Sequence, residues 1–287
     1  MNVEIAEERI LVLTDRFSME QAEGRAWSRR VEAFGTMARL GGLLSRPRDE
    51  EFEVVYRERR LQPFWRLATS GVVAYERHRD YRVALAPEVR AVAVAGEEKT
   101  IDDHAFTLSG LESCREETHG ERLIDGLTGE LDPALSAYLA FPSTEADAAA
   151  LAALVKSGTV VAPPQARASM LVRDAVAAAI GKIDADKVLE ETVRLKAVEL
   201  YYRPVYAFRY RRAGKEAVVE FDALTGDVAI SGATFEEHLG KIMEPKFLLD
   251  VGAEAANLFI PGVTVAKIVL VKGIEMQQRR AAAKGAP

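Results

Sequence analysis

VEFDALTGDV, residues 219–228, ends a strand-forming run with Asp, a small residue, Leu, Thr, Gly and a second acid, and RLIDGLTGEL, residues 122–131, does the same about a hundred residues earlier. In Asp-x-Leu-Thr-Gly the aspartate accepts a hydrogen bond from a backbone N–H two residues on. Threonine supports it more weakly, and glycine takes the left-handed conformation that closes a turn with a bulge. VVEF before the motif and DVAI after it are strand formers, so the stretch predicts a hairpin corner. The competing reading, in which Asp222 and Asp227 hold a cation, lacks the dense oxygen-ligand spacing of a calcium loop.

Working outward, VYAFRYR alternates strictly, with Tyr206, Phe208 and Tyr210 on one face and Val205, Ala207, Arg209 and Arg211 on the other. TVRLKAVELYY reads as a strand up to Pro204, DADKVLEE as a short turn of helix opened by Asp184, and 168–183 as a helix. The first half has a similar plan. Ser18 caps a helix whose Ala22, Ala26, Trp27, Phe34, Met37, Ala38 and Leu40 recur at helical spacing up to Gly41-Gly42. FEVVYRERRL, FWRLATSGVVAYE and YRVALA then read as antiparallel strands, with Pro63 before the second and a turn-like RHRD before the third. VVYRERRLQPFWRL and VELYYRPVYAFRY share a strand running into a proline, aromatics directly after it and interleaved arginines. Each proline is expected at a strand start or on an edge, where the ladder needs no N–H. The pairing predicts a weak internal duplication of a helix-plus-sheet unit.

Residues Ala168 to Ile230, and Asp222 to Val228 most specifically, resemble the PepSY domain, with a possible degenerate second copy in 18–95. The resemblance implies a small helix-on-antiparallel-sheet module, often regulatory or inhibitory, with no catalytic residues to carry over. PepSY modules mostly lie outside the cytoplasm, whereas this chain opens on MNVEIAEERILVLTDRF, which has no basic, export-type start. Asp125 also lies 62 residues past Pro63, against 18 from Pro204 to Asp222, so the first copy is either heavily inserted or not a copy. The fold class expected is α+β: two helix-plus-antiparallel-sheet units, an inserted β-rich segment and a C-terminal helical hairpin. Three regions follow: 1–142, a helix plus antiparallel sheet with extra strands in 89–131; 143–166, a helix capped at Thr144 and a linker at 159–166; and 167–287, the PepSY-like unit with a C-terminal helical pair.

Of 287 residues 48% are hydrophobic, enough for a sizeable core, and 38 Lys+Arg against 44 Asp+Glu give a net charge of −6. Such a balance supplies no global positive field, so no nucleic-acid partner is expected. The single cysteine, Cys114, excludes an intramolecular disulfide framework and points to the cytoplasm. Phosphate-loop, dinucleotide, nucleophile-elbow and HExxH motifs are missing, as are paired CxxC motifs, and no cofactor is expected.

His104, Cys114 and His119, with Asp102, Asp103, Glu116 and Glu117, form the one gathering of nucleophile or metal-ligand types, although their spacing matches no zinc pattern. They are the fallback catalytic set; polar loop residues around a half-buried thiol are the plainer account. Arginines 57, 59, 60, 66, 77, 79, 82, 203, 209, 211 and 212 crowd both sheets among Tyr and Phe. This suits phosphate or acidic-peptide binding, with Arg66, Arg77, Arg209 and Arg211 as binding candidates, or else cross-strand pairing with Glu58, Glu76, Glu216 and Glu220. Residues 247–259 put Phe247, Val251 and Phe259 on one stripe of an amphipathic helix, and VTVAKIVLVKGI after Pro261-Gly262 reads as a helix apolar almost all round. A surface for self-association or for a protein partner is thus expected in 245–280. A membrane-surface hairpin using Lys267, Lys272, Arg279 and Arg280 is the alternative. The function expected is a non-enzymatic cytoplasmic binding or scaffold module.

Overall fold

The computed structural model describes residues 1–34, 48–181, 183–230 and 232–236, and the backbone of 267–271. Two short strands, β1 (Asn2–Ala6) and β2 (Glu8–Leu13), lead into helix α1 (Met19–Ala33), where Ser18 and Gln21 form a reciprocal capping box. Strand β3 (Glu53–Ala84) follows, then a small hairpin of β4 (Val92–Val94) and β5 (Glu97–Lys99), then β6 (Ala105–Asp125). A 3-10 turn at Pro133–Ala140, β7 (Ser143–Ala146), helix α2 (Ala148–Lys156) and β8 (Val160–Val161) lie between the two halves. Helix α3 (Ala168–Ala179), β9 (Lys187–Arg212), β10 (Lys215–Asp222), β11 (Val228–Ile230) and β12 (Lys267–Val271) complete the described elements.

This is an α+β architecture, but among the described residues the strands of both halves join in one mixed sheet of ten strands rather than in two small ones. The join is the antiparallel pairing of β3 with β9, in which Gln62 faces Arg203, Pro63 faces Tyr202 and Leu61 faces Pro204. Both prolines sit mid-strand, where the outer neighbour changes: on β3 from β8, ending opposite Leu61, to β6, beginning opposite Phe64, and on β9 from β2, ending opposite Tyr202, to β10, beginning opposite Val205. The missing N–H points into that gap, so a proline costs no ladder bond there. The strands therefore run through Pro63 and Pro204 instead of starting at them.

The contacts that build the first half recur in the second, with their partners exchanged. Leu11 and Val12 pair in parallel with Tyr201 and Tyr202 of β9, and Val160 and Val161 pair in parallel with Arg60 and Leu61 of β3. Each short strand then enters a helix that reaches onto the other half. Ala22 and Ala26 of α1 pack on Tyr206, Phe208, Tyr210, Val219 and Phe221, while Leu171, Val172, Ala175 and Val176 of α3 pack around Leu61, Trp65 and Leu67. Each helix, expected on its own half, reaches across: α1 lies mainly on β9 and β10, and α3 spans β3 and β6 of the first half together with Val193, Leu195 and Val198 of β9. Both helices lie on one face of the sheet. The other face is covered in part by the 3-10 turn, whose Leu135 and Tyr138 pack on Phe64, Leu123 and Leu224.

Several local expectations also change. RHRD lies inside β3 and Lys187–Glu190 inside β9, because strand pairing overrides the local turn and helix signals there. Asp147, not Thr144, caps α2. The expected linker at 159–166 includes β8 and the buried Val160, Val161 and Ala162. Lys267–Val271, expected as helix, pairs in parallel with β1, a conformation that suits the β-branched Ile268, Val269 and Val271. The expected stripe of Phe247, Val251 and Phe259, and residues 35–47, lie outside the described residues.

Candidate functional site

The two Asp-x-Leu-Thr-Gly turns are corners with identical wiring. Asp125 Oδ1 accepts from the N–H groups of Leu127 and Thr128 at 2.8 and 2.9 Å, and Asp222 Oδ1 accepts from those of Leu224 and Thr225 at 2.8 and 3.0 Å. Thr128 and Thr225 each accept, at 3.2 Å, from the acid two residues on, and Gly129 and Gly226 have φ of 77° and 82°. Each turn also seals the exchange between halves. The Ala223 carbonyl accepts from Arg16 N–H at 2.9 Å, and the Gly126 carbonyl accepts from Gln165 N–H at 2.8 Å. Both aspartates are thus occupied in structural roles.

The proposed catalytic residues do not converge. Cys114 and His119 are five residues apart on β6 and so point to opposite faces, about 17 Å apart at strand rise. His104 precedes the strand, farther out, in the left-handed region with φ 51°. Among the described residues no three His, Cys, Asp or Glu side chains come together as a metal-holding group.

The candidate arginines are engaged with carboxylates. Arg66 donates to Glu121 at 2.7 Å and to the buried Glu199 at 2.9 Å, and Arg77 donates to Glu112 at 2.6 Å. Arg209 reaches Glu236 at 2.6 Å and Arg211 reaches Glu216 at 2.8 Å. Arg66, Arg77 and Arg211 make cross-strand pairs with carboxylates, while the Glu236 that Arg209 reaches lies outside the strands. Burial alone would lower the Arg66 pKa, but the two glutamates more than offset it and hold the group above its ordinary value.

A groove of about 580 Å³ opens between β2, β7 and α2, lined by Thr14, Asp15, Arg59, Thr144 and Glu145 on its polar side and by Ala150, Ala153 and Leu154 on its apolar side. Asp15 is bound there by Arg59 at 2.6 and 2.9 Å and by the Tyr206 hydroxyl at 2.5 Å. Burial raises its pKa, and these donors reverse the effect and carry it below the ordinary value.

The most distinctive surface is one the sequence reading broke in two. β9 begins at Lys187, opposite Glu76, so beyond that point β3 and β6 continue as a two-stranded arm, 77–84 with 105–112, that ends near the β4–β5 hairpin. Alternation assigns Arg77, Arg79, Tyr81 and Val83, with Phe106, Leu108, Gly110 and Glu112 opposite, to the face that carries the helices lower down. Helix α3 ends at Ala179, close to Gly71, so it stops short of the arm. Tyr81 is 43% exposed, Leu108 36% and, on the reverse face, Leu111 56%. A bare hairpin of this kind is marginal in water. Here Tyr81 donates to Glu112, Ser109 donates to Asp80 at 2.5 Å, and at the tip Leu85 N–H bonds the His104 carbonyl at 2.7 Å. The hydrogen bonds from Tyr81 and Arg77 hold the Glu112 carboxyl below its ordinary pKa. The missed signal was the continued alternation through RHRDYRV, hidden by reading RHRD as a turn.

Among the described residues no helix is long and apolar enough to cross a membrane. No family model, no curated protein and no solved structure matches this chain.

Proposed function

We propose that this chain is a non-enzymatic binding or scaffold module of the cytoplasm, and that a protein partner docks on the helix-side face of its β-arm. The observation that carries the reading is the exposure of Tyr81, Val83 and Leu108 together on a ribbon where Arg77, Tyr81 and Glu112 are tied to one another. Aromatic and aliphatic side chains set in a rim of paired charges are the usual make-up of a docking surface. The arm grows out of β3, the longest described strand, and β6, which stay paired without a register shift from Phe64 to Ala84, and this supports a scaffold role. We read the two halves as degenerate copies of a PepSY-like unit, the arm being an extension of the first copy's hairpin.

A photo-crosslinking residue at position 81 tests the proposal, with one at the comparably exposed Met170 of α3 as reference. A single adduct from position 81, abolished by Leu108→Ser and absent from position 170, is the expected result. Equal labelling from both positions would sink it. Light scattering on the same samples separates a second copy of this chain from a different partner.

A further inference from the structure

On the face opposite α1 and α3, independently of the arm, Glu58 and Arg60 have fully buried side chains, paired at 3.0 Å, and Arg60 also pairs with Glu220 at 2.9 Å. Two carboxylates against one guanidinium leave acceptors in excess, and buried charge is tolerated only when donors complete it. The donors come from the segment Gly232–Glu236. Phe235 N–H donates to both Glu58 oxygens at 3.2 and 3.1 Å, and Ala233 N–H donates to Glu220 at 2.9 Å. Arg60 in turn donates to the Ala233 carbonyl at 2.9 Å, and its guanidinium lies 4.4 Å from the centre of the Phe235 ring. At the rim Arg209 holds the Thr234 hydroxyl at 2.9 Å and the Glu236 carboxylate at 2.6 Å. The inner contacts are therefore to backbone groups and one aromatic ring, the pattern by which an extended peptide is read.

The first half shows what this place looks like without a segment. Arg66 faces Glu199 across the β3–β9 ladder as Ala207 faces Glu58, and Glu199 is as deeply buried as Glu58. There Arg66 and Arg9 complete the carboxylate directly. Where the first half has the long Arg66, the second has Ala207, and the space above Glu58 is open to a peptide backbone.

We propose that Glu58, Arg60, Glu220 and Arg209 form a binding site for an extended peptide of small–polar–aromatic–acidic sequence, which the chain's own Gly232–Glu236 occupies as an intramolecular ligand. A peptide of that chemistry from another protein competes for the site. Self-occupancy lowers the apparent affinity of the competitor by the fraction of open sites.

The test is a titration of fluorescently labelled Gly-Ala-Thr-Phe-Glu amide into the full chain, read by anisotropy. Phe235→Ala, which removes the ring from Arg60, is expected to bind the peptide at least about tenfold more tightly than the unmodified chain. Thr234→Ala with Glu236→Ala loosens the same segment from the rim without touching the buried charges, and covers the case in which Phe235→Ala does not fold. Adding Arg209→Ala to either is expected to weaken binding, and a peptide with Ala in place of Phe is expected not to bind. Equal affinity for the unmodified chain and the loosened variants, or equal binding of the Ala peptide, would overturn the proposal. Tyr81→Ser leaves this titration unchanged, so failure here and failure of arm docking are told apart.

Discussion

The turns at 125–129 and 222–226 make the same internal backbone bonds and hold glycine at nearly the same φ, but Gly126 accepts one bond from the opposite half, from Gln165, where Ala223 accepts two, from Arg16 and Phe17, and their surroundings differ further. Asp222 is buried, and beyond capping its turn it takes the Tyr138 hydroxyl at 2.5 Å and Arg203 at 3.3 Å on its second oxygen. Asp125 is half-exposed and only caps. At the next position Ala223 is accommodated, whereas a Cβ on Gly126 would lie 2.5 Å from the Pro63 carbonyl oxygen. The same local code thus serves a loaded corner in one half and a lighter, tighter one in the other.

The largest way to break the comparison is Asp222→Ala. It removes the cap and leaves Arg203 and Tyr138 facing each other without their acceptor, and should cost about 3 kcal/mol in urea unfolding. Gly126→Ala should cost about 2 kcal/mol because a backbone atom blocks the added methyl, while Ala223→Gly at the matching position costs under about 1 kcal/mol. Equal effects at the two positions would show that the turns are tighter or looser than described. Asp125→Ala should lose about 1 kcal/mol, the value of a cap alone, so that the ratio of the two aspartate variants measures the extra load on Asp222. Asp15, just before the Arg16 bond to Ala223, sharpens the comparison through pH, because Pro164 stands before the matching Gln165. Its folded pKa lies below the ordinary 3.8, so its stabilisation is complete above that value and is lost as pH falls through the lower, folded one. Asp15→Asn should therefore flatten the acid limb of the stability curve below about pH 4 and leave the region above pH 6 parallel. Smallest of all, Thr128→Ala and Thr225→Ala should each cost about 0.5 kcal/mol and match one another, since both hydroxyls accept one exposed bond.

The two Asp-x-Leu-Thr-Gly turns, the Ser18 cap and the alternating faces were legible in the sequence because each rests on residues close in the chain. Ser18 and Gln21 are three apart, and Tyr206, Phe208 and Tyr210 sort themselves by the strand period alone. Pro63 and Pro204 were legible as places needing no N–H, but not as mid-strand residues, because the gap they face is made by distant segments on the other side. RHRD misled for a similar reason: only the register against Ser109–Glu112 shows that it is strand. The exchange of helices left no local mark, since the apolar stripe of α1 fits a sheet whichever half supplies it. Among the candidate site residues, the arginines were correctly located on the sheet, but the reading of which carboxylates meet them needed the ladder. His104, Cys114 and His119 were close in sequence only, as strand geometry carries them apart.

The exchange of β2 and α1 onto strands β9 and β10 has a consequence for how the chain comes off the ribosome. The first half cannot bury the aromatic side of its own long strand until β8 and α3 have been made, and its leading helix waits still longer for β10. Synthesis is therefore far advanced before any stable intermediate is available, and the half-made product must be shielded from neighbours in the meantime.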